Sequence, residues 1–193
     1  KIIITGALGY IGTELCKLYS GFSWKYEVVA IDNRFISERV HELKRRKIKF
    51  VQADILNYTD INFHIKDAEI IHHLAGITDV AYVKKDSNKH KDIMIQKVAV
   101  EGTENVLKAM DKNAKIIFPS THVVFEGLKK PKTNIKENET TSPVLVYSSS
   151  KVDNENQIIN SGKNFVIFRL GSVYGFSTDT MRINIMPNLF SKI

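Results

Sequence analysis

The chain has 193 residues, 43% of them hydrophobic and 25% charged, which suits a globular body of one domain with the edge of a second. Its 28 Lys and Arg against 21 Asp and Glu give a net charge of +7, which directs attention to anionic partners. The single cysteine, Cys16, excludes an internal disulfide framework, and no apolar run approaches the roughly 18 residues of a membrane span.

The elements follow in order. KIIIT (1–5) reads as a strand, with no charged lead-in or small-residue cleavage site before it, so a cytoplasmic protein without a membrane partner is expected. A helix is predicted over 10–20, a strand over 27–32 (EVVAID), a helix over 35–46 and a strand over 48–54 (IKFVQAD). The basic cluster Lys44-Arg45-Arg46-Lys47 between the last two has no interleaved aromatic, so it reads as a solvated helix end rather than a nucleic-acid site. AEIIHHLAG (68–76) is a strand, 90–111 a helix and AKIIFPST (114–121) a strand. The polar stretch 129–143 holds two prolines and reads as a surface excursion and a candidate lid. A helix over 146–161 and a strand over 164–171 (NFVIFRLG) complete the pattern. The strands are rich in β-branched residues and unbroken by polar ones, as in sheets covered on both faces. Repeated strand, helix, strand order predicts a doubly wound parallel α/β fold.

The first turn, IIITGALGYIG, places Gly6, Gly9 and Gly12 between strand and helix. Gly6 would allow the tight turn, Gly9 would let backbone approach a pyrophosphate, and Gly12 would let helix and strand pack closely. The helix N-terminus offers N–H groups to the phosphate. Asp32, ending the second strand, could accept from a ribose diol and repel a 2′-phosphate, favouring NAD over NADP; Arg34 keeps NADP open. His72 and His73 are adjacent on a strand, point to opposite faces and cannot share a metal, and no metal is expected. Cys16 shares a helix face with Gly12 and Leu15 and is expected to be a buried thiol. In VYSSSKVDNE, Tyr147 and Lys151 are i,i+4 neighbours, a spacing that suits either a solvated helix face or a proton-transfer pair.

Taken together these motifs resemble the extended short-chain dehydrogenase/reductases, the NAD-dependent epimerase/dehydratase group that acts largely on nucleotide sugars. TGALGYIG is similar to its TGxxGxxG fingerprint, HLAG to its cofactor turn, VEGTENVL to its interface helix, YSSSK to its active-site pair and RLGSVYG to the segment after the sixth strand. The resemblance implies a Rossmann domain over 1–175 and, over 176–193, the start of a smaller C-terminal substrate domain largely missing here. It implies NAD as cofactor, held by Gly6, Gly9, Tyr10, Ile11, Gly12, Asp32, Asn33, Asp54, Ile55, Leu74, Ala75, Gly76 and Lys151. It implies catalysis by Thr121, Tyr147 and Lys151, with Ser120 as the fallback for Thr121, and substrate contacts at Thr78, His122 and Ser172. For His122 the other reading is a strand-end histidine bonded to backbone. A homodimer through helices near 94–111 and 146–161 is implied, with Ile95, Val98, Val106 and Ile158 as apolar contributors.

The departures narrow the chemistry. His122-Val123 stands where dehydratases of the family carry an acidic pair, and Ala99 and Ser172 stand where asparagines are usual. The expected reaction is therefore redox-neutral epimerisation of a nucleotide sugar through a transient ketone. A keto-deoxysugar reductase is the alternative, because STHVVFEG (120–127) is similar to the reductases' segment. A non-catalytic NAD-binding regulatory or structural protein is the reading of another class.

Overall fold

A computed structural model describes residues 1–78 and 88–177. Six parallel strands run in the order β3-β2-β1-β4-β5-β6: β1 (Ile2–Thr5), β2 (Val28–Asp32), β3 (Lys49–Gln52), β4 (Ile70–His73), β5 (Lys115–Thr121) and β6 (Asn164–Leu170). The helices are α1 (Tyr10–Ser20), α2 (Ser37–Arg45), α3 (Tyr58–Ile65), α4 (Lys89–Ala109) and α5 (Val146–Asn160), and a 3₁₀ helix spans His122–Phe125. The order reverses between β1 and β4, where a doubly wound sheet opens its ligand crevice.

Successive residues of each central strand enter opposite cores, which is why these strands read as unbroken apolar runs. Ile2, Ile4, Val28 and Ala30 pack with Leu8, Cys16 and Leu43 beneath α1 and α2. Ile3, Val29, Ile31, Ile71 and Ile116 pack with Ile61, Val106 and Ile158 beneath α3, α4 and α5. Burial pushes the Cys16 thiol up to about 12, so it is an inert core group.

Three expectations change. Residues 58–65 form a helix that the apolar pattern did not announce; Asn57 caps it by accepting from Asp60 N–H, and Ile61 and Ile65 bury one face. The edge strands are not covered on both sides: β3 is exposed at both ends, and Phe165 and Phe168 of β6 are 42% and 51% exposed. Ile95, Val106 and Ile158 are buried within the monomer, which leaves them no surface for a subunit contact, whereas Val98 is only partly buried; Ile93 and Ile159 are the exposed isoleucines of α4 and α5. The basic cluster does end α2, where Arg45 and Arg46 pair with Glu42.

The loop after the 3₁₀ helix is closed at its neck by Gly127 N–H to Ser142 O and Ser142 N–H to Val124 O, both 2.8 Å. It is braced by Lys132–Glu139 at 2.6 Å and by Arg169 Nη1 donating to Glu137 O.

Packing of α4 on the third strand's end is tight enough to test. A Cβ on Gly102 would lie 2.3 Å from Ile55 Cδ1 and 2.8 Å from its Cγ1. Gly102→Ala is expected to cost about 1–3 kcal/mol in overpacking, more than the ~1 kcal/mol of helix propensity it gains. In an Ile55→Ala background the same change should become neutral or stabilising. Urea midpoints of the four proteins decide this, and an equal penalty in both backgrounds contradicts the packing argument.

Candidate functional site

The glycine turn is built by close approach. Gly6 adopts φ +66, and a Cβ there would lie 2.7 Å from Ala75 N, against the end of β4. At Gly12 a Cβ would meet Gly6 O at 2.4 Å, so the helix seats on the turn itself rather than on the strand. Gly9 is the N-cap of α1, with no side-chain cap and no acidic residue in the first turn. The first i to i−4 bond runs from Thr13 N–H to Gly9 O, so the N–H groups of Tyr10, Ile11 and Gly12 head the helix ahead of it. That uncapped, acid-free N-terminus, with the Ala7 and Leu8 side chains of the turn buried beneath it, fits a dinucleotide pyrophosphate. The Tyr10 hydroxyl donates to Gly175 O at 2.5 Å, which draws the segment after β6 back over the turn.

Asp32 is buried and fully engaged. Its Oδ2 accepts from Leu8 N–H at 3.0 Å, and Arg34 lays its backbone N–H and its Nε on Oδ1, each at 3.1 Å. A ribose diol reaching this carboxylate must compete with a guanidinium, which the strand pattern alone did not indicate. Arg39, not singled out from sequence, donates to Leu8 O at 2.5 Å. Beside them Asn33 Nδ2 donates to Asp54 Oδ2 at 3.2 Å, which brings two expected adenosine-end residues together. Ile55 is different: its side chain is buried under Gly102 and its carbonyl accepts from Asn105, leaving its backbone N–H for a ligand.

At the end of β4 a buried polar chain replaces water. Thr5 Oγ1 accepts from Ala75 N–H and meets His73 Nδ1 at 2.9 Å. His73 Nε2 meets Thr103 Oγ1 at 3.0 Å, and Asn154 Nδ2 donates to Thr103 Oγ1 and to Ala99 O. Burial holds His73 down at about 3, so the imidazole is neutral. His72 faces the opposite side and bonds the Tyr19 hydroxyl at 2.8 Å, so the pair shares no metal. Leu74 and Ala75 are half-buried and Gly76 is exposed, with open space where a Cβ would be.

The proton-transfer candidates lie at the end of β5 and in the first turns of α5. Lys151 Nζ lies 5.9 Å from the Tyr147 ring centre and 4.4 Å from that of Phe118, and it donates to Pro119 O at 3.0 Å. Desolvation lowers its pKa to about 8, against the opposing pull of Glu155. Thr121 closes β5, buried, and accepts from Val123 N–H to start the 3₁₀ helix. Ser120 is committed elsewhere: its hydroxyl donates to buried Glu155 at 2.5 Å, and Glu155 pairs with Arg169 at 2.7 Å. Of the three serines between Tyr147 and Lys151, Ser148 and Ser150 are buried rather than on the helix surface, and Ser150 bonds Tyr147 O. His122 is exposed and its Nδ1 lies 3.1 Å from Leu170 O, the backbone-bonded alternative. Thr78 and Ser172 are exposed. Glu126, Asn154, Glu155 and Arg169 were not assigned roles from sequence, although Glu126 lies in the segment similar to reductases and Arg169 opens RLGSVYG.

Known proteins resemble this chain along most of its length. Dehydrorhamnose chemistry is represented by the dTDP-4-dehydrorhamnose reductase of Aggregatibacter actinomycetemcomitans, 28% identical over 179 residues, which span 91% of this chain and 52% of the relative. The CDP-paratose 2-epimerase of Salmonella typhi is 28% identical over 205 residues, covering 91% of this chain and 58% of the relative. Among solved structures, UDP-glucuronic acid 4-epimerase from Bacillus cereus, in complex with UDP-glucuronic acid and NAD, superposes with a TM-score of 0.76 at 27% identity over 97% of this chain and 60% of that one. The chain thus spans little more than half the length of the curated relatives it matches. Residues 1–192 match the family described as the RmlD substrate binding domain, and the chain belongs to that family.

Proposed function

We propose that this chain carries the cofactor and proton-transfer groups of an NAD-dependent nucleotide-sugar epimerase. The observation that carries the reading is Tyr147 paired with Lys151 on α5, beside the end of β5, at the same sheet edge as the uncapped glycine turn. Gly6, Gly9, Tyr10, Ile11 and Gly12 would hold the pyrophosphate, Asp32 and Asn33 the adenosine ribose, and Asp54 with the Ile55 backbone the adenine. Leu74, Ala75 and Gly76 would border the nicotinamide half, with Lys151 on its ribose. Reversible hydride acceptance is what NAD supplies when bound.

The chain's own residues handle the proton. Tyr147 takes it from a sugar hydroxyl, Thr121 donates a hydrogen bond to that oxygen, and the ammonium of Lys151 favours the phenolate that a base at neutral pH requires. The sugar gives up a hydride with that proton to become a ketone and regains both on return, the hydride on its other face, so no net redox change occurs. Thr78, His122 and Ser172 remain candidate substrate contacts. A cytoplasmic homodimer is part of the reading, supported by the single cysteine and by Ile93 and Ile159 exposed on α4 and α5.

The second reading, a keto-sugar reductase, is favoured by Arg34 lying on Asp32, where a guanidinium could receive the 2′-phosphate of NADP, and by the reductase among the relatives. Incubating the full-length protein with UDP-, dTDP- and GDP-sugars separates the two. Inversion without added reductant supports epimerisation, and stoichiometric consumption of NADH or NADPH with a keto-sugar replaces it with reduction. Tyr147→Phe should keep cofactor binding and lose on the order of 10²–10⁴-fold in turnover. Undiminished turnover in that variant refutes a base at Tyr147, and cofactor binding without any turnover in the wild type leaves a non-catalytic member.

Lys151 gives a stability signature. Its folded pKa of about 8 lies below the ordinary 10.5, so between these values the unfolded chain binds a proton that the folded one has shed. Stability therefore rises with pH across that window. Measured by denaturant midpoint, wild type should gain on Lys151→Met from pH 8 to 10.5, and parallel curves would show that the ammonium is not desolvated.

A further inference from the structure

The helix that carries Tyr147 begins at a residue that cannot cap it. Leu145 is the N-cap of α5, and its side chain has no acceptor for the N–H groups of the first turn. A carboxylate from 19 residues upstream instead holds the backbone just ahead of that turn. Glu126 Oε1 accepts from Val144 N–H at 2.9 Å and from Leu145 N–H at 2.7 Å, and the Ser148 hydroxyl donates to the same oxygen. A carboxylate there also meets the positive end of the helix. Tyr147 sits between Leu145 and Ser148, both gripped by this one group.

The other end of the arrangement is Thr121. It is the N-cap of the 3₁₀ helix, and Glu126 is that helix's C-cap, so a single short turn separates the two. The path between them has no slack, because Val124 O and Gly127 N–H are both bonded to Ser142. A Cβ on Gly127 would lie 2.6 Å from Ser142 O, so the neck also excludes a side chain there.

We propose that Glu126 is the positioning residue that holds Tyr147 in register with Thr121. The inference rests on the reading of Tyr147 as the base and Thr121 as its partner. Glu126 itself touches neither reacting atom; it sets the start of α5 against the end of β5.

Fluorotyrosine incorporated into the full-length protein gives a fluorine signal for each tyrosine, and Tyr147→Phe assigns that of Tyr147. In Glu126→Ala the Tyr147 signal is expected to shift or broaden while those of Tyr19 and Tyr26, across the sheet under α1, stay in place. Glu126→Gln keeps an acceptor oxygen and should restore the wild-type spectrum. In active enzyme Glu126→Ala should lose kcat on the order of 10²-fold with KM held, the scale of a misplaced catalytic group. An unmoved Tyr147 signal, movement of all tyrosine signals together, or failure of Glu126→Gln to restore them overturns the proposal. If Glu126→Ala does not fold, Glu126→Asp, one methylene too short to reach the same donors, is judged by the same criteria. The spectrum needs no substrate, so an ordered but inactive wild type refutes the epimerase reading without deciding the role of Glu126.

Discussion

Backbone meets backbone at the switch point with no room for a side chain, and the site is organised around that contact. The turn after β1 reaches the end of β4 at Gly6 and Ala75, and α1 seats on the turn at Gly12. Because the turn is fixed, Leu8 N–H finds Asp32 on the neighbouring strand, and Thr5 Oγ1 finds Ala75 N–H. Any larger residue at Gly6 would have to both adopt a left-handed conformation and push β4 away. The crevice therefore has its width set by covalent chain, not by rotamers.

Charge is handled differently on the two sides of the sheet's C-terminal edge. At the β2 end, Asp32 and Arg34 neutralise each other with the guanidinium half exposed, an arrangement a ligand can open. At the β5 and β6 ends, Glu155 is buried and holds Arg169 and Ser120 at once, and it lies one helical turn beyond Lys151. Removing either partner of that pair would strand a charge in the interior, which makes it a fixed support for α5. Lys151 itself has traded water for Pro119 O and two aromatic faces, and its lowered affinity for a proton follows from that exchange.

Much of this was legible in the residue order. Parallel strands buried on both faces announce themselves as unbroken apolar runs, and glycine positions at a strand-to-helix turn have few other uses. What periodicity cannot supply is the identity of the covering partner. The apolar stripe of α4 and α5 was legible, but Val106 and Ile158 pack into the core beneath the sheet and Ile95 is buried within the monomer. The same gap left β3 and β6 reading like their central neighbours. Helix α3 escaped because eight residues mixing aromatic and β-branched types carry little helical signal, and its cap bond is only visible once folded. Arg34 on Asp32 and Glu126 on α5 are choices of partner made in three dimensions.

The strand order also governs how the sheet can close as the chain leaves the ribosome. The first half, β3-β2-β1, is complete once residue 52 has emerged, and its inner edge is β1, whose four residues are all buried in the finished fold. That edge waits for β4, and every pairing on that side is non-local, so its closure is slow compared with the hairpins of antiparallel sheets. Until Ile70–His73 dock beside it, Ile2, Ile3 and Ile4 present an unpaired apolar edge to other nascent chains. The crevice at the switch point thus begins as an aggregation-prone seam, and the proposed dinucleotide, spanning β2 and β4, would knit the two halves across it.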